Sequence, residues 1–152
     1  MNFLIDLVNN RIFLSAACGW VVAQLLKTLI HMWFNRKFVA ERLIGSGGMP
    51  SSHSATVCAL STAALISYGI GSFEFAISFI FAVIVMHDAM GVRRETGIQA
   101  KVLNELIEVF AAMDSDMSPQ DKLKEFVGHT PLQVLIGALL GITIAICVCL
   151  VL

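Results

Sequence analysis

The sequence predicts an all-α integral membrane protein, folded as a four-transmembrane-helix bundle with an amphipathic surface helix between the third and fourth spans. Of its 152 residues, 57% are apolar and only 14% are charged, whereas about a quarter of a soluble domain is charged. The mean hydropathy is +0.82. Four apolar stretches are long enough to cross a hydrocarbon core of about 30 Å. We therefore expect one membrane domain covering residues 1–152.

The four predicted spans lie near residues 12–34, 53–70, 73–92 and 131–152. The first is not expected to be a cleaved signal peptide, because it lacks a basic leader and is longer than the apolar part of such a segment. A glycine-containing turn, Tyr68–Ser72, joins the second span to the third, as in an antiparallel helical hairpin. Thr130 and Pro131 are typical of a helix cap and first residue, and Gln133 completes a capping-box pattern.

Apolar residues recur at helical spacing between the third and fourth spans, and polar residues take the opposite face. The apolar set is Ile98, Val102, Leu106, Val109 and Phe110, and the polar set is Gln99, Lys101, Asn104, Glu105 and Glu108. This pattern predicts an amphipathic helix on the cytoplasmic membrane surface. After a break near residues 114–119, a short helix is predicted to start at Ser118 and Pro119 and to stop at Gly128. In the last span, Gly137 and Gly141 have the spacing of a close helix-packing face.

Basic residues predict the orientation of the bundle. Of the ten Lys and Arg residues, four lie at or after the end of the first span and five lie between the third and fourth spans, which leaves only Arg11 for the other side. Positive charge accumulates in cytoplasmic loops. We therefore expect both long loops to face the cytoplasm and both termini to lie outside, in a bacterial cytoplasmic membrane.

The composition excludes several classes of protein. Ten basic residues against eleven acidic ones leave a net charge of -1, which provides no field for binding nucleic acid. The high hydropathy excludes a disordered chain. All four cysteines fall within predicted spans and lack the spacing of metal ligands, so we expect apolar packing for them, without a metal site or a disulfide framework.

Polar residues of the first span share one helical face. They are Gln24, Lys27, Thr28, His31 and Asn35. Because polar side chains inside a span are costly, this stripe is a candidate lining for a wet cavity. The alternative is that Lys27 extends to the lipid headgroups, His31 sits at the interface, and Gln24 only bonds a neighbouring helix.

A glycine-rich loop runs into the start of the second span, with the sequence GGMPSSHSA at residues 47–55. Backbone N–H groups at such a helix start suit an anion such as phosphate, and Ser51 and Ser52 add hydroxyl donors. His53, in the first turn, can give a proton to a leaving oxygen. The alternative is an ordinary turn followed by a serine-capped helix.

Two further clusters are predicted to lie on the same side of the membrane. Arg93 and Arg94 follow the third span, where they can clamp phosphoryl oxygens or can be solvated charge with Asp88 as a counter-ion. His129 precedes the fourth span, where a neutral imidazole can attack phosphorus beside a helix dipole that favours the anion. His87 is expected to have no role in chemistry.

Taken together, these segments resemble a known family. The strings that carry the resemblance are GGMPSSHSA at 47–55, DAMGVRR at 88–94, Gln99-Ala100, Leu103-Asn104 and GHTP at 128–131. They resemble the divergent branch of the type-2 phosphatidic acid phosphatase superfamily, which is related to acid phosphatases and vanadium-dependent haloperoxidases. The resemblance extends over nearly the whole chain, from about Gln24 to Gly141.

The resemblance implies a phosphatase that works through a phosphohistidine. It implies that His129 is the nucleophile and that His53 is the general acid. It assigns phosphate binding to Lys27, Arg42, Ser51, Ser52 and one of Arg93 and Arg94, with support from Gln24, Asp88 and Gln133. It implies no metal and no other cofactor, and it implies that vanadate binds the same site.

Five departures from the superfamily pattern bear on the activity, and one of them is the gap of 34 residues between Arg94 and His129 where about five are usual. Lys27 and Arg42 are farther apart than the usual lysine and arginine, so Arg36 is a rival of Arg42. Ser52 replaces the usual glycine of the loop. Gln133 stands where an acidic partner usually orients the nucleophile, and an amide does not stabilise an imidazolium as a carboxylate does. Four spans instead of the usual six leave a homodimer as one way to complete the bundle.

These patterns lead us to expect a membrane lipid-phosphate phosphatase that hydrolyses a phosphomonoester on the cytoplasmic leaflet. Candidate substrates are phosphatidylglycerophosphate, phosphatidate and a prenyl phosphate. The alternative is a non-catalytic binder or transporter of a phosphorylated lipid, which Gln133 keeps open, and a purely structural membrane subunit is a third hypothesis. The expected partners are the lipid, the membrane and a second copy of the chain, without nucleic acid.

Overall fold

The computed structural model describes residues 3–36, 48–113, 123 and 128–151. Every regular element within these ranges is an α-helix, as the sequence predicts. In chain order the helices are α1 (Phe3–Val8), α2 (Arg11–Asn35), α3 (Ser52–Tyr68), α4 (Phe73–Met90), α5 (Val92–Met113) and α6 (Pro131–Val151). Arg42 and the short helix predicted after Ser118 lie outside the described residues.

The helix α3 lies at the centre of the bundle, in contact with α2, α4 and α6, while α2 also packs against α6. The buried side chains of α3 are almost all small: Ser52, Ser54, Ala55, Val57, Cys58, Ala59, Ser61, Ala63 and Ala64. Small side chains let helix backbones approach closely, which favours helix association where lipid weakens the hydrophobic drive between helices. This packing fixes the start of α3, which carries His53, against its neighbours.

Glycines on α2 and α6 allow the close contact with α3. A Cβ at Gly19 would meet the carbonyl oxygen of Ala55 at 3.0 Å, and one at Gly141 would collide with the same oxygen. A Cβ at Gly137 would collide with the carbonyl oxygen of Ser51. The predicted packing face of Gly137 and Gly141 is therefore confirmed, and its partner is the first turn and a half of α3.

The helix ends follow the predicted signals. Between α3 and α4, Gly69 adopts a φ of 82° and Ser72 caps α4 by accepting a backbone N–H at 3.2 Å. The helix α6 begins at Pro131. The predicted capping box is present there, since the Thr130 N–H donates to Gln133 Oε1 at 3.1 Å and the Gln133 N–H donates to Thr130 Oγ1 at 3.4 Å.

Among the described residues, three helical stretches are long and apolar enough to cross a membrane: Arg11–Asn35, Phe73–Phe110 and Pro131–Val151. The central helix α3 has 17 residues, which corresponds to about 25 Å and the lower limit for a span. Large apolar side chains point outward, with Phe73 76% exposed and Leu150 81% exposed. Such an apolar outer surface is typical of a protein surrounded by lipid.

The helix α5 follows α4 after Gly91 and contacts α4 alone among the described helices. Its predicted apolar stripe is exposed, as the amphipathic pattern requires, with Val102 51% and Phe110 57% accessible. Asn104 departs from the pattern, because it is only 4% exposed although the spacing assigns it to the solvated face. It is buried because it pairs with the backbone of Leu123, a contact that helical periodicity cannot indicate.

None of the four cysteines forms a disulfide. Cys58 is buried in the core and lies 3.7 Å from the Met86 sulfur, which agrees with the predicted apolar packing. Cys147 instead lies on the outer, apolar surface.

Candidate functional site

Side chains from four parts of the chain meet at one end of the bundle. Lys27 comes from α2, His53 from the first turn of α3, Arg93 from the start of α5, and His129 from the segment before α6. The charge of Lys27 acts on both imidazoles, and the charges of Arg93 and Asp88 act on His53. We call Lys27, His53, Arg93 and His129 the histidine cluster.

His129 is the most deeply buried member, with 1% of its surface exposed. Its backbone N–H donates to the Ala89 carbonyl at 3.1 Å, which ties it to the end of α4. Its Nδ1 lies 3.2 Å from Gln133 Oε1. Because that oxygen also accepts the Thr130 N–H, it is an acceptor here, so in the neutral ring Nδ1 carries the proton and Nε2 carries the lone pair.

Two ring nitrogens of the cluster are buried without a hydrogen-bond partner among the described residues: His129 Nε2 and His53 Nδ1. The two ring centroids are 6.3 Å apart, with an interplanar angle of 62°. Buried polar atoms in folded proteins are nearly always paired, so unpaired ones call for a specific explanation. Two of them in one cluster are typical of a site that acts on a ligand.

Lys27 is 2% exposed although it carries a charge. Its Nζ donates to Gln24 Oε1 at 2.7 Å and lies 3.5 Å from Ser52 Oγ. The side chains of Gln24 and Ser52 are neutral, and they hold the buried ammonium in a place where it can interact with an anionic group. Lys27 therefore does not extend to the headgroups, and Gln24 bonds Lys27 rather than a neighbouring helix.

The two serines of the glycine-rich loop have different surroundings. Ser51 caps α3: its Oγ accepts the Ser54 N–H at 3.4 Å and the Ser54 hydroxyl at 3.0 Å. The Ser51 N–H donates to the Gln133 carbonyl at 3.1 Å. Ser52 instead lies beside Lys27. Both interpretations of the loop are therefore present: Ser51 caps the helix, and Ser52 supplies a polar group beside Lys27.

Gly48 packs against the stem of Lys27. A Cβ at Gly48 would meet Lys27 Cγ at 3.3 Å, and the φ of +83° lies in the region that favours glycine. The loop backbone can therefore approach the lysine more closely than any other residue type would allow.

Asp88 and Arg93 form an ion pair, in which Arg93 Nε donates to Asp88 Oδ2 at 2.6 Å. This contact matches the counter-ion interpretation of Asp88. The two side chains are 37% and 43% exposed, so the pair is accessible from one side. Arg94 is exposed, and its backbone packs against Gly128, where a Cβ would collide with it. Arg93, and not Arg94, acts on His53.

The remaining sequence candidates are exposed or lie outside the described residues. Arg42 belongs to the second group. Its rival Arg36 is exposed at the end of α2, with a φ of 49°. His87 is exposed on α4.

A cavity of about 200 Å³ opens beside the cluster and is lined by Lys27, Ile30, His31, Phe34, Asn35, Gly48 and Met49. Three of the five polar-stripe residues of α2 therefore line a cavity, while Gln24 and Thr28 are buried inside the bundle. A second cavity, also of about 200 Å³, lies between α3 and α4 and is mainly apolar; Cys58, Leu65, Phe79, Met86 and Ile142 are among its lining residues.

Burial lowers the pKa of His129 below its usual value of 6.5, and the charges of Lys27 and His53 lower it further. The hydrogen bond to Gln133 opposes this shift without cancelling it, as does the nearby Gly48 backbone, which lies too far or at too poor an angle to form a hydrogen bond with Nε2. The imidazole is therefore neutral at pH 7, which is the form that can act as a nucleophile.

Two contacts that hold His129 in place are not indicated by the sequence patterns. One is the hydrogen bond to the Ala89 carbonyl. The other is the fit of Gly128 against the backbone of Arg93 and Arg94. Gly128, directly before His129, is the one sequence feature that relates to this close approach, but from the sequence alone it indicates only the end of a helix.

Comparisons with known proteins add to this geometry. A family model described as "Divergent PAP2 family" matches residues 8–144. The uncharacterized membrane protein YuiD of Bacillus subtilis (strain 168) is 42% identical over 150 residues, which cover 93% of this chain and 95% of that protein. No solved structure matches the chain.

Proposed function

The chain belongs to the divergent PAP2 family, and from this premise we propose that it is a lipid-phosphate phosphatase. The observation that carries the proposal is the state of His129 Nε2. This nitrogen is buried and unpaired among the described residues, and Gln133 holds the ring in the tautomer that leaves the lone pair on it. A neutral imidazole in this state can attack phosphorus.

The first proposed step transfers the phosphoryl group to His129. The Nε2 lone pair attacks phosphorus, an N–P bond forms, and the P–O bond to the lipid alcohol breaks. His53, in its protonated form, gives its proton to the departing oxygen, so the lipid leaves as a neutral alcohol. Gln133 Oε1, 3.2 Å from Nδ1, accepts from the imidazole while positive charge develops on the ring.

The second proposed step releases phosphate. Water attacks the phosphorus of the phosphohistidine, the neutral His53 takes a proton from that water, and the N–P bond breaks. Inorganic phosphate leaves and both histidines return to their starting states. The two steps use side chains alone, and vanadate is expected to inhibit by adopting the five-coordinate shape of the transition state.

The charge of the phosphate is met by Lys27, Ser52 and Arg93 in this proposal. Electrostatic interactions are stronger inside the bundle than in water, so a buried ammonium stabilises developing charge effectively. Arg93 uses Nε for Asp88, which leaves its terminal nitrogens as donors to phosphoryl oxygens. Arg42 stays a candidate ligand on the sequence resemblance, whereas the contacts of Ser51 and Arg94 favour structural roles.

The proposed substrate is a phosphomonoester carried by a lipid of the cytoplasmic leaflet, such as phosphatidylglycerophosphate, phosphatidate or a prenyl phosphate. The mainly apolar cavity between α3 and α4 supports a hydrocarbon tail, and the cavity beside Lys27 supports a polar headgroup. Sites that join an apolar wall to a few polar groups are typical of amphipathic ligands.

Phosphate release from a panel of these lipids by the purified protein in detergent tests the proposal. We expect turnover of at least one lipid, and we expect rapid quench with radiolabelled substrate to trap an acid-labile, base-stable phosphoenzyme. His129→Ala should abolish both. Normal turnover in His129→Ala would remove this mechanism.

His53→Ala tests the general acid separately. Its loss should slow hydrolysis of lipid esters by about 10²-fold or more, and should matter little for an ester with a good leaving group, which needs no proton. The exposed His87 supplies the control: His87→Gln should change activity by less than about tenfold, or about 1.4 kcal/mol of barrier. Equal losses for both classes of ester in His53→Ala would contradict the acid role.

A non-catalytic binder of phosphorylated lipid is the second candidate function, and Gln133 is the residue that favours it. An amide at this place stabilises an imidazolium less than a carboxylate would. The same lipid panel decides between the two functions. Binding of a labelled lipid phosphate without phosphate release would support the binder and contradict the phosphatase.

A further inference from the structure

Asn104 is a buried polar residue on α5, with 4% of its surface exposed. Its side chain makes two hydrogen bonds to the backbone of one residue: Nδ2 donates to the Leu123 carbonyl at 2.9 Å, and Oδ1 accepts the Leu123 N–H at 2.9 Å. An asparagine amide offers the same donor and acceptor as a peptide group. This two-point attachment fixes both the position and the direction of the chain at Leu123.

The attached segment leads to His129, six residues later. Its other end is also fixed, by the fit of Gly128 against the Arg93–Arg94 backbone and by the hydrogen bond from His129 to the Ala89 carbonyl. The residues that fix the two ends of the segment belong to α4 and α5, which are separated only by Gly91. Six residues span at most about 20 Å, so the anchor at Leu123 limits where the backbone of His129 can lie.

We propose that Asn104 is a positioning residue, which holds the chain at Leu123 so that His129 stays buried in the histidine cluster. Asn104 acts only through the chain segment, not on the substrate. Without its amide, the chain at Leu123 has more conformational freedom to lose when His129 docks, and this entropy cost lowers the fraction of molecules with His129 in place. The expected loss of turnover rests on the proposed phosphatase function, whereas the expected exposure of His129 does not depend on that function.

The test removes the attachment from each side. Asn104→Ala removes both hydrogen bonds. Leu123→Pro removes the N–H that Oδ1 accepts and also restricts the local backbone, while the Leu123 carbonyl is retained. Leu123→Ala is the control for loss of the side chain, because that side chain is 45% exposed and the N–H is retained. Gln99→Ala, at an exposed position of α5, controls for substitution on that helix.

Two measurements are made on the full-length, monodisperse protein in detergent. The first is the rate at which diethyl pyrocarbonate modifies His129, followed by mass spectrometry of its peptide. We expect Asn104→Ala and Leu123→Pro to raise this rate about tenfold or more, because His129 becomes exposed more often. The modification rate of His31, and all rates in Leu123→Ala and Gln99→Ala, should match the wild type.

The second measurement is the kinetics of phosphate release from the lipid that the wild type turns over. We expect kcat to fall about tenfold in Asn104→Ala and Leu123→Pro while KM stays within about twofold, since the substrate contacts are intact. An unchanged modification rate at His129 would overturn the proposal, even if the melting temperature falls. In an active enzyme, faster modification with an unchanged kcat would overturn it too. If the wild type hydrolyses no lipid phosphate, the proposed function fails, and the modification rates alone decide whether Asn104 holds His129 in place.

Discussion

One oxygen of Gln133 serves two partners. Gln133 Oε1 lies 3.2 Å from His129 Nδ1 and accepts the Thr130 N–H at 3.1 Å. From the sequence alone, an orienting partner for the histidine and a member of a capping box are competing interpretations of this residue. The geometry accommodates both, so the start of α6 and the direction of the imidazole depend on the same side chain.

Substitution of Gln133 by glutamate separates the two roles. Gln133→Glu keeps both hydrogen bonds and adds negative charge beside the imidazole, so turnover should rise several-fold, corresponding to about 1 kcal/mol for a charged over a neutral hydrogen bond. The melting temperature should also rise, because acidic residues stabilise helix starts. Thr130→Ala, which removes the cap hydroxyl together with the exposed γ-methyl group, should lower the melting temperature and leave turnover unchanged. A raised melting temperature with unchanged turnover in Gln133→Glu would reduce Gln133 to a cap.

The lowered pKa of His129 predicts the acid limit of the activity. Since burial keeps the imidazole neutral below the usual value of 6.5, kcat/KM should decline with falling pH only at values below 6.5. Gln133→Glu should move this decline to higher pH, while His31→Gln and His87→Gln should leave it in place. A pH profile of the wild type with its acid decline centred at or above 6.5 would contradict the assignment.

The same shift has a consequence for stability. The unfolded chain binds a proton at His129 near the usual pKa, whereas the folded state binds it only at lower pH. The unfolded state therefore holds more protons below about pH 6.5, and the free energy of unfolding should fall as pH decreases through that window. Unfolding titrations of the wild type and His129→Gln should show a weaker pH dependence in the variant.

At the scale of the elements, the helices could be predicted because their signals are local. The stretches predicted near residues 12–34, 53–70, 73–92 and 131–152 correspond to α2, α3, α4 and α6 within two residues at each end. Apolar length, Ser72 as a cap and the Thr130–Gln133 capping box all act within a few residues of the chain. The helical spacing of residues 98–110 likewise corresponds to α5.

Contacts between distant segments could not be predicted in the same way. Helical periodicity assigns Asn104 to a solvated face. It carries no information about Leu123, which lies outside the helix and forms hydrogen bonds with the Asn104 side chain. The sequence pattern also does not distinguish Arg93 from Arg94. The directions of both side chains relative to α3 depend on the turn at Gly91, which separates them from α4. Only the three-dimensional arrangement distinguishes the arginine that acts on His53.

The contact between α6 and α3 can be tested by filling one glycine. A Cβ at Gly141 would collide with the Ala55 carbonyl oxygen, which is part of the α3 backbone and cannot rotate away. Gly141→Ala should therefore lower the free energy of unfolding by about 1–3 kcal/mol and reduce activity as the start of α3 shifts. Gly71→Ala is the matched control, because a Cβ there meets no atom within 4 Å. Equal stability of the two variants, in unfolding titrations in detergent, would contradict close packing at Gly141.

Across the whole molecule, the chemistry-bearing residues lie at the end of the bundle where α2 ends and where α3, α5 and α6 begin. Four segments come together there: the end of α2, the start of α3, the α4–α5 junction and the start of α6. They carry Lys27, His53, Arg93 and His129, respectively. The two connections at this end hold most of the ten Lys and Arg residues. The orientation of the chain in the membrane therefore determines which leaflet can deliver a substrate to the site.

Cysteine labelling from each side of the membrane tests that orientation. The positive-inside rule predicts that the basic connections, and with them the histidine cluster, face the cytoplasm. The variants are made in a background without the four native cysteines. A membrane-impermeant maleimide added outside the cytoplasmic membrane should label Gly71→Cys in the α3–α4 turn and should not label Ser46→Cys between the first and second spans. Inverted vesicles should give the opposite result. Gly71 is exposed with no atom near its Cβ position, so the substitution itself should not disturb the bundle. Labelling of Ser46→Cys from outside, with Gly71→Cys protected, would move the site to the outer leaflet. That result would exclude lipids of the cytoplasmic leaflet as substrates while leaving the proposed phosphohistidine chemistry open to its own test.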